Sequence, residues 1–167
     1  MKSVGYTSHA ICIEGRHLLI TGGTGYIGTA LVRLAVTNGC VVTVLSRTRP
    51  TWPLIDKVRY VPYALTEPLP PEAFDAAEVV IHLAADTSQG LKRLPEQVEV
   101  DAGRRLLTAA STHGLRFLFV SSQSARADAP TPYGRIKWRI EQAVLQHGGY
   151  VVRPGLVYGG TRAAGLF

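Results

Sequence analysis

The stretch Thr21-Gly22-Gly23-Thr24-Gly25-Tyr26-Ile27-Gly28 constrains the fold more than any other part of the chain. It follows directly on the apolar run Leu18-Leu19-Ile20. Beyond it, Ile27, Leu31, Leu34 and Ala35 recur with helical period until Asn38-Gly39 breaks the pattern. Glycine is a poor helix former, so Gly22, Gly25 and Gly28 at the mouth of a helix serve something other than helix formation. A strand, then Gly-x-x-Gly-x-x-Gly, then a helix is the turn that takes the pyrophosphate of a dinucleotide. Gly22 permits the tight turn, Gly25 lets backbone approach the phosphates, and Gly28 lets helix and sheet pack closely. The helix N-terminus adds N–H groups and a partial positive charge. Gly22, Gly25, Tyr26, Ile27 and Gly28 are therefore candidate cofactor-binding residues.

The rest of the chain repeats the alternation of buried strand and helix. Val41 to Leu45, Val58 to Val61, Val79 to Leu83, Phe117 to Val120 and Tyr150 to Val152 are short apolar runs without polar alternation. Helical patterns cover roughly Pro95 to His113 and Pro132 to His147, the latter with the stripe Ile136, Ile140, Ala143 and Val144. Strands of this kind separated by helices predict a parallel sheet covered on both faces. The fold class is thus α/β: a doubly wound parallel sheet of the Rossmann type in three α/β/α layers. Residues 17–167 form this domain, and residues 1–16 are read as an N-terminal extension. Ile13-Glu14-Gly15-Arg16 has the form of a protease-recognition tag, which chance or a natural extension also explains.

The end of the second strand bears on cofactor choice. An acidic side chain there would hold the adenosine ribose hydroxyls and favour NAD. The chain has Leu45-Ser46-Arg47-Thr48-Arg49, with no carboxylate. Ser46 and Arg47, with help from Arg49, suit a 2′-phosphate instead. The expected cofactor is NADP, with NAD as the alternative.

Composition excludes other classes. No apolar run reaches the roughly 18 residues that span a bilayer. The net charge is +6, but the basic residues are scattered rather than run together, so neither membrane nor nucleic acid is an expected partner. The five histidines and the two cysteines, Cys12 and Cys40, make no metal-ligand spacing. Two lone cysteines could pair but are more often free thiols of a reducing compartment. The chain is expected to be cytoplasmic. Gly-x-Ser-x-Gly, the hydrolase elbow, is absent.

Five stretches in order bring the sequence to a family. They are TGGTGYIG, HLAA (His82 to Ala85), VSSQS (Val120 to Ser124), PYGRIK (Pro132 to Lys137) and VVRPGLVYG (Val151 to Gly159). Together they resemble the extended short-chain dehydrogenase/reductases, more narrowly the NAD(P)-dependent epimerase/dehydratase group acting on nucleotide sugars and related substrates. Tyr133 and Lys137 stand at i and i+4, on one helical face. A free tyrosine titrates near ~10, and a neighbouring ammonium stabilises its phenolate. Tyr133 can then exchange a proton with a substrate oxygen while hydride moves to or from a nicotinamide. The resemblance implies Ser122, Tyr133 and Lys137 as the catalytic set, with Ser121 and Ser124 as weaker candidates for the serine. It implies that Lys137 also binds the nicotinamide ribose, that Leu83, Ala84 and Ala85 pass the cofactor, and that Pro154 borders the nicotinamide. His82 reads as a packed strand residue.

Departures from the pattern are informative. An Asp-Leu pair that reaches the adenine is here Ala64-Leu65, so Leu65 is left as a backbone contact. An asparagine of the long helix aligns with Glu99, or less well with Asp101. Eleven positions separate Ser122 from Tyr133, whereas sugar-nucleotide epimerases carry a longer loop. The family also continues into a substrate-binding region that a chain ending at Phe167 would largely lack. The expected activity is hydride transfer at a hydroxyl or carbonyl carbon of a small-molecule substrate; the resemblance also implies that a homodimer is one option, since family members often dimerise, and the sequence leaves the oligomeric state open. A catalytically silent NADP(H)-binding module, acting as sensor or structural subunit, is the alternative.

Overall fold

A computed structural model describes residues 13–50, 57–88 and 93–158. The elements run β1 (His17–Thr21), α1 (Tyr26–Thr37), β2 (Val41–Ser46), β3 (Val58–Pro62), β4 (Val79–His82), α2 (Glu96–Thr112), β5 (Arg116–Val120), α3 (Pro132–Gln146) and β6 (Tyr150–Val152). A 3-10 turn, Pro71–Ala73, precedes β4. The strands form one six-stranded sheet in the order β3-β2-β1-β4-β5-β6. All five pairings are parallel. The chain reverses direction across the sheet between β1 and β4, and open α/β sheets place their ligand crevice at such a switch point.

Two apolar clusters flank the sheet, which confirms the three layers. Ile20, Val42, Val44 and Val58 meet Val32 and Ala35 of α1 on one face. Leu19, Val80, Phe117 and Phe119 meet Leu106 of α2 and Ile136, Ile140 and Val144 of α3 on the other. Burying these side chains at about 25 cal/mol per Å² of apolar surface is the main force holding the layers together. The helical stripe predicted for α3 is buried throughout.

The stripe predicted for α1 needs correction. Gly28, Val32 and Ala35 are its buried residues, while Leu34 is 61% exposed. The reason lies at Gly28. A Cβ there would stand 2.1 Å from the Gly22 carbonyl oxygen, so the turn presses on the bare backbone of that residue. The helix rotates to present the Gly28 face, and Ile27 turns toward the crevice instead. The helix ends at Asn38 with Gly39 at φ +77°, the left-handed stop that glycine adopts most readily.

His82 is buried in β4, and Cys40 is buried and free; Cys12 lies outside the described residues. No helix among the described residues is long and apolar enough to cross a membrane. Leu156, Val157 and Tyr158, which follow β6, are exposed.

Candidate functional site

The carboxyl ends of the strands open into one cleft of about 910 Å³. Gly22, Gly25, Tyr26, Ile27 and Gly28 line it at the end of β1; Ser46, Arg47 and Leu65 line it beyond β2 and β3. Leu83, Ala84 and Ala85 line it beyond β4, Ser122 beyond β5, Tyr133 and Lys137 from α3, and Pro154 beyond β6. The structure thus brings Ser122, Tyr133, Lys137 and all the cofactor-binding candidates to a single cleft, whereas Ser124, Glu99 and Asp101 do not line it. Arg49 is the exception among the supporting residues, since it is exposed and does not line the cleft.

The phosphate turn is built as glycine chemistry demands. Gly22 has φ +71°, and a Cβ on it would lie 2.6 Å from the Ala84 nitrogen, so β1 and the segment after β4 nearly touch. Thr21 locks the same junction: its hydroxyl accepts the Ala84 N–H at 3.3 Å and lies 2.6 Å from Nδ1 of His82. Burial, with help from the Lys137 charge, pushes His82 down to about 3. The imidazole is neutral, and one hydrogen bond joins its Nδ1 to the threonine hydroxyl. At Gly25 the only close neighbour of a Cβ would be the Gly22 carbonyl, at 3.2 Å. Gly25 is the N-cap of α1, no side chain caps this helix, and no acidic residue stands in its first turn. The bare helix end on the cleft wall fits an anionic group.

At the end of β2 the two candidates differ. Ser46 is buried, and its hydroxyl donates to the Thr48 carbonyl at 2.8 Å. Its proton is committed to the turn, which leaves the exposed Arg47 as the donor facing the cleft. After β3, the Ala64 N–H donates to the Glu67 carboxylate at 3.0 Å, and the Leu65 carbonyl accepts Nη2 of Arg105 at 2.9 Å.

The other end of the cleft holds the reactive groups. Thr131 caps α3, its hydroxyl accepting the Gly134 N–H at 3.2 Å, and Pro132 follows in the first turn. A Cβ at Gly134 would lie 2.5 Å from the Ser124 carbonyl, so the start of α3 is pressed against the loop that carries Ser122. This contact sets Tyr133 beside Ser122. Burial and the Glu99 charge raise the Tyr133 pKa, and the Ser122 hydroxyl opposes them. Ser122 also lies 2.9 Å from the Ser124 hydroxyl and accepts the Ser124 N–H at 3.2 Å.

Lys137 is 3% exposed. Its ammonium donates to the Val120 carbonyl at 2.8 Å and stands 4.6 Å from the Phe119 ring centre and 5.7 Å from that of Tyr133. Burial brings its pKa down to about 8, against the pull of Glu99. An amine titrating there can hold or release a proton near neutral pH.

Several residues of the site escaped the sequence reading. Asp86 is buried after β4 and accepts the Ser88 and Leu94 N–H groups at 3.0 and 2.6 Å. Burial raises its pKa, but these bonds and Arg93 outweigh it and hold the group low. An acid directly after Ala84-Ala85 was the signal available. Glu141 and Arg153 are paired behind Ser121. No group of histidine, cysteine and acidic residues among the described residues could hold a metal ion.

Fold and cleft together define a Rossmann-type dinucleotide-binding domain with a serine, a tyrosine and a lysine at the far end of its crevice. The chain belongs to the NAD dependent epimerase/dehydratase family, whose model matches residues 18–162. It is 35% identical over 160 residues to a ceramide reductase of Caulobacter vibrioides, covering 89% of this chain and 49% of the relative. It is also similar to the structure of TunA, an NAD-dependent NDP-hexosamine 5,6-dehydratase of tunicamycin biosynthesis, with 28% identity and a TM-score of 0.71, over 90% of this chain and 58% of that one. WbmG of Bordetella bronchiseptica, solved in complex with NAD, shares the fold at 22% identity and a TM-score of 0.68, over 84% and 52% of the chains. The chain spans about half the length of these relatives.

Proposed function

We propose that this chain binds NADP(H) and supports hydride transfer at a hydroxyl or carbonyl carbon, with Ser122, Tyr133 and Lys137 as the catalytic residues. The observation that carries this reading is the convergence of those three side chains on the cleft that begins at the glycine turn. The bare N-terminus of α1 would take the pyrophosphate, and the Arg47 guanidinium a 2′-phosphate. Lys137, Leu83 to Ala85 and Pro154 would border the nicotinamide end. The bound dinucleotide would supply or accept the hydride. Ser122 would hold the substrate oxygen by hydrogen bond. Tyr133 would exchange a proton with that oxygen, and Lys137 would pass protons to and from Tyr133.

The Caulobacter relative named a ceramide reductase makes reduction of a carbonyl compound the first reaction to test. The short Ser122 to Tyr133 spacing supports the same order, with nucleotide sugars second. Titration with NADPH and NADH, followed by a carbonyl and sugar-nucleotide panel read through nicotinamide absorbance, tests the proposal. Turnover that Tyr133→Phe abolishes supports it. NADPH binding without Tyr133-dependent turnover favours a silent binding module, and absence of binding overturns both.

A further inference from the structure

The 2′-phosphate that Arg47 would hold sits on the ribose next to the base, so the base belongs on the wall of the cleft beside Arg47. The parallel pairing of β2 with β3 sets that wall. Ser46 stands opposite Pro62, and the Tyr63 N–H donates to the Ser46 carbonyl at 3.0 Å. Tyr63, Ala64, Leu65 and Thr66 then line the cleft in turn, as does Leu45. Tyr63 is buried within the larger apolar cluster, and Leu65 packs against the same cluster. The wall is thus anchored to the core.

The polar groups of this segment are turned to the protein. Ala64 to Glu67 is a tight turn closed from both ends. The Glu67 N–H donates to the Ala64 carbonyl at 2.9 Å, and the Ala64 N–H donates to Oε2 of Glu67 at 3.0 Å. Arg105 reaches across from α2 and occupies the Leu65 carbonyl. The side chains of Ala64 and Leu65 carry no polar atom. Thr66 is exposed, and a hydroxyl in open water exchanges one hydrogen bond for another at little net gain. Glu67, whose carboxylate closes the turn, does not line the cleft.

We infer that this end of the cleft grips the base by its apolar face and leaves the 6-position unread, so that the chain takes a hypoxanthine dinucleotide as readily as an adenine one. This rests on the NADP(H)-binding reading above and deepens it. Adenine carries an amine at the 6-position. Hypoxanthine carries a carbonyl there, with a proton on the adjacent ring nitrogen. The two bases thus share one flat ring and present opposite donor and acceptor patterns along one edge. A site tells them apart only through a donor or acceptor of its own that meets that edge. Apolar contact with Leu45, Ala64 and Leu65 is blind to the exchange.

Selection then falls on the rest of the dinucleotide. The bare N-terminus of α1 would answer to the pyrophosphate and Arg47 to the 2′-phosphate, and both groups are common to the two dinucleotides. Ala64 is the residue that sets the indifference, because it lines the cleft with nothing beyond a Cβ. A carboxylate at this position would accept from the adenine amine and oppose the hypoxanthine carbonyl.

Calorimetric titration of the whole chain with NADPH and with its reduced nicotinamide hypoxanthine counterpart, both bearing the 2′-phosphate, tests this without any substrate. The two dissociation constants are expected to agree within about threefold, near the lower limit of what one hydrogen bond contributes. Ala64→Asp is expected to favour NADPH by roughly tenfold or more, the worth of a hydrogen bond to a charged group. Should that variant not fold, the two constants of the parent decide alone. A difference beyond about threefold in the parent, in either direction, overturns the inference and leaves NADP(H) binding in place. A folded Ala64→Asp that treats the two dinucleotides alike overturns the place given to Ala64. Failure of the parent to bind either dinucleotide overturns the NADP(H) reading and this inference with it.

Discussion

Arg153 clasps the carboxylate of Glu141 with both arms of its guanidinium: Nη2 donates to Oε1 at 2.6 Å and Nε to Oε2 at 3.0 Å. The same carboxylate accepts the buried Ser121 hydroxyl at 2.6 Å. The clasp therefore ties the end of β6 to α3 one turn beyond Lys137, and to the residue preceding Ser122. Burial works to raise the Glu141 pKa, and Arg153 and Ser121 outweigh it. Glu141→Ala is expected to cost roughly 1–2 kcal/mol in chemical denaturation. That is the low part of the range for a charge-assisted bond, because water reaches Arg153. It should also loosen Ser122 and lower kcat more than it raises KM. A variant as stable and as active as the parent would show that the clasp is ornamental to both fold and site.

In the proposed reading the exposed Arg47, which lines the cleft beyond β2, is the main side chain that would choose the cofactor. Arg47→Ala should weaken NADPH binding by roughly 1–3 kcal/mol and leave NADH nearly unchanged, with no loss of thermal stability. Calorimetric titration of the parent and the variant decides it. Equal affinity of the parent for both dinucleotides would remove the case for NADP.

The glycines of the turn should separate folding from binding. At Gly25 an added Cβ meets only the Gly22 carbonyl, at 3.2 Å, whereas at Gly28 it meets that oxygen at 2.1 Å and the Gly23 Cα at 2.7 Å. Gly25→Val is expected to fold with a Tm within a few degrees of the parent but to lose the thermal shift that cofactor produces. Gly28→Ala is expected to destabilise the domain itself by about 1–3 kcal/mol, the usual range for forced overpacking. A Gly25→Val variant that keeps the full cofactor shift would place the phosphates elsewhere.

A pH effect follows from His82. Its imidazole titrates near 3 in the fold against 6.5 for the free side chain. Between those values the unfolded chain binds a proton that the folded chain refuses. Stability is therefore untouched above about pH 6.5 and declines as pH falls from 6.5 toward 3, with a slope of at most about 1.4 kcal/mol per pH unit. Asp86 and Glu141, whose pKa values are lowered by the fold, lose their contribution only at more acid pH. The window from pH 6.5 to 5 thus isolates the histidine from these two. Melting curves across it should fall more steeply for the parent than for His82→Gln; parallel slopes would contradict a neutral buried imidazole.

The parts of the fold that were legible in the sequence are those written in one local pattern. Apolar runs such as Val41 to Leu45 declared buried parallel strands, and Ile136, Ile140, Ala143 and Val144 declared one face of a helix. The same locality marked the glycine turn. The rotation of α1 was not legible, because the Gly22 carbonyl that sets it belongs to another element. The partners of Glu141 and the enclosure of Glu99 were hidden for the same reason: a charged residue in a helix looks like a solvated one until its packing partner is known.

The strand order has an evolutionary corollary. Arg47 follows β2 and Ser122 follows β5, and β1 and β4 lie between those strands. Three strand spacings of roughly 4.8 Å put the two ends of the cleft about 14 Å apart, beyond the distance at which substitutions usually couple. Changes at Arg47 and changes at Tyr133 should then combine as independent factors in a double-mutant cycle, within about 0.5 kcal/mol. A lineage carrying this domain could exchange one dinucleotide for the other without retuning its proton chemistry, and could alter that chemistry without surrendering its hold on the coenzyme.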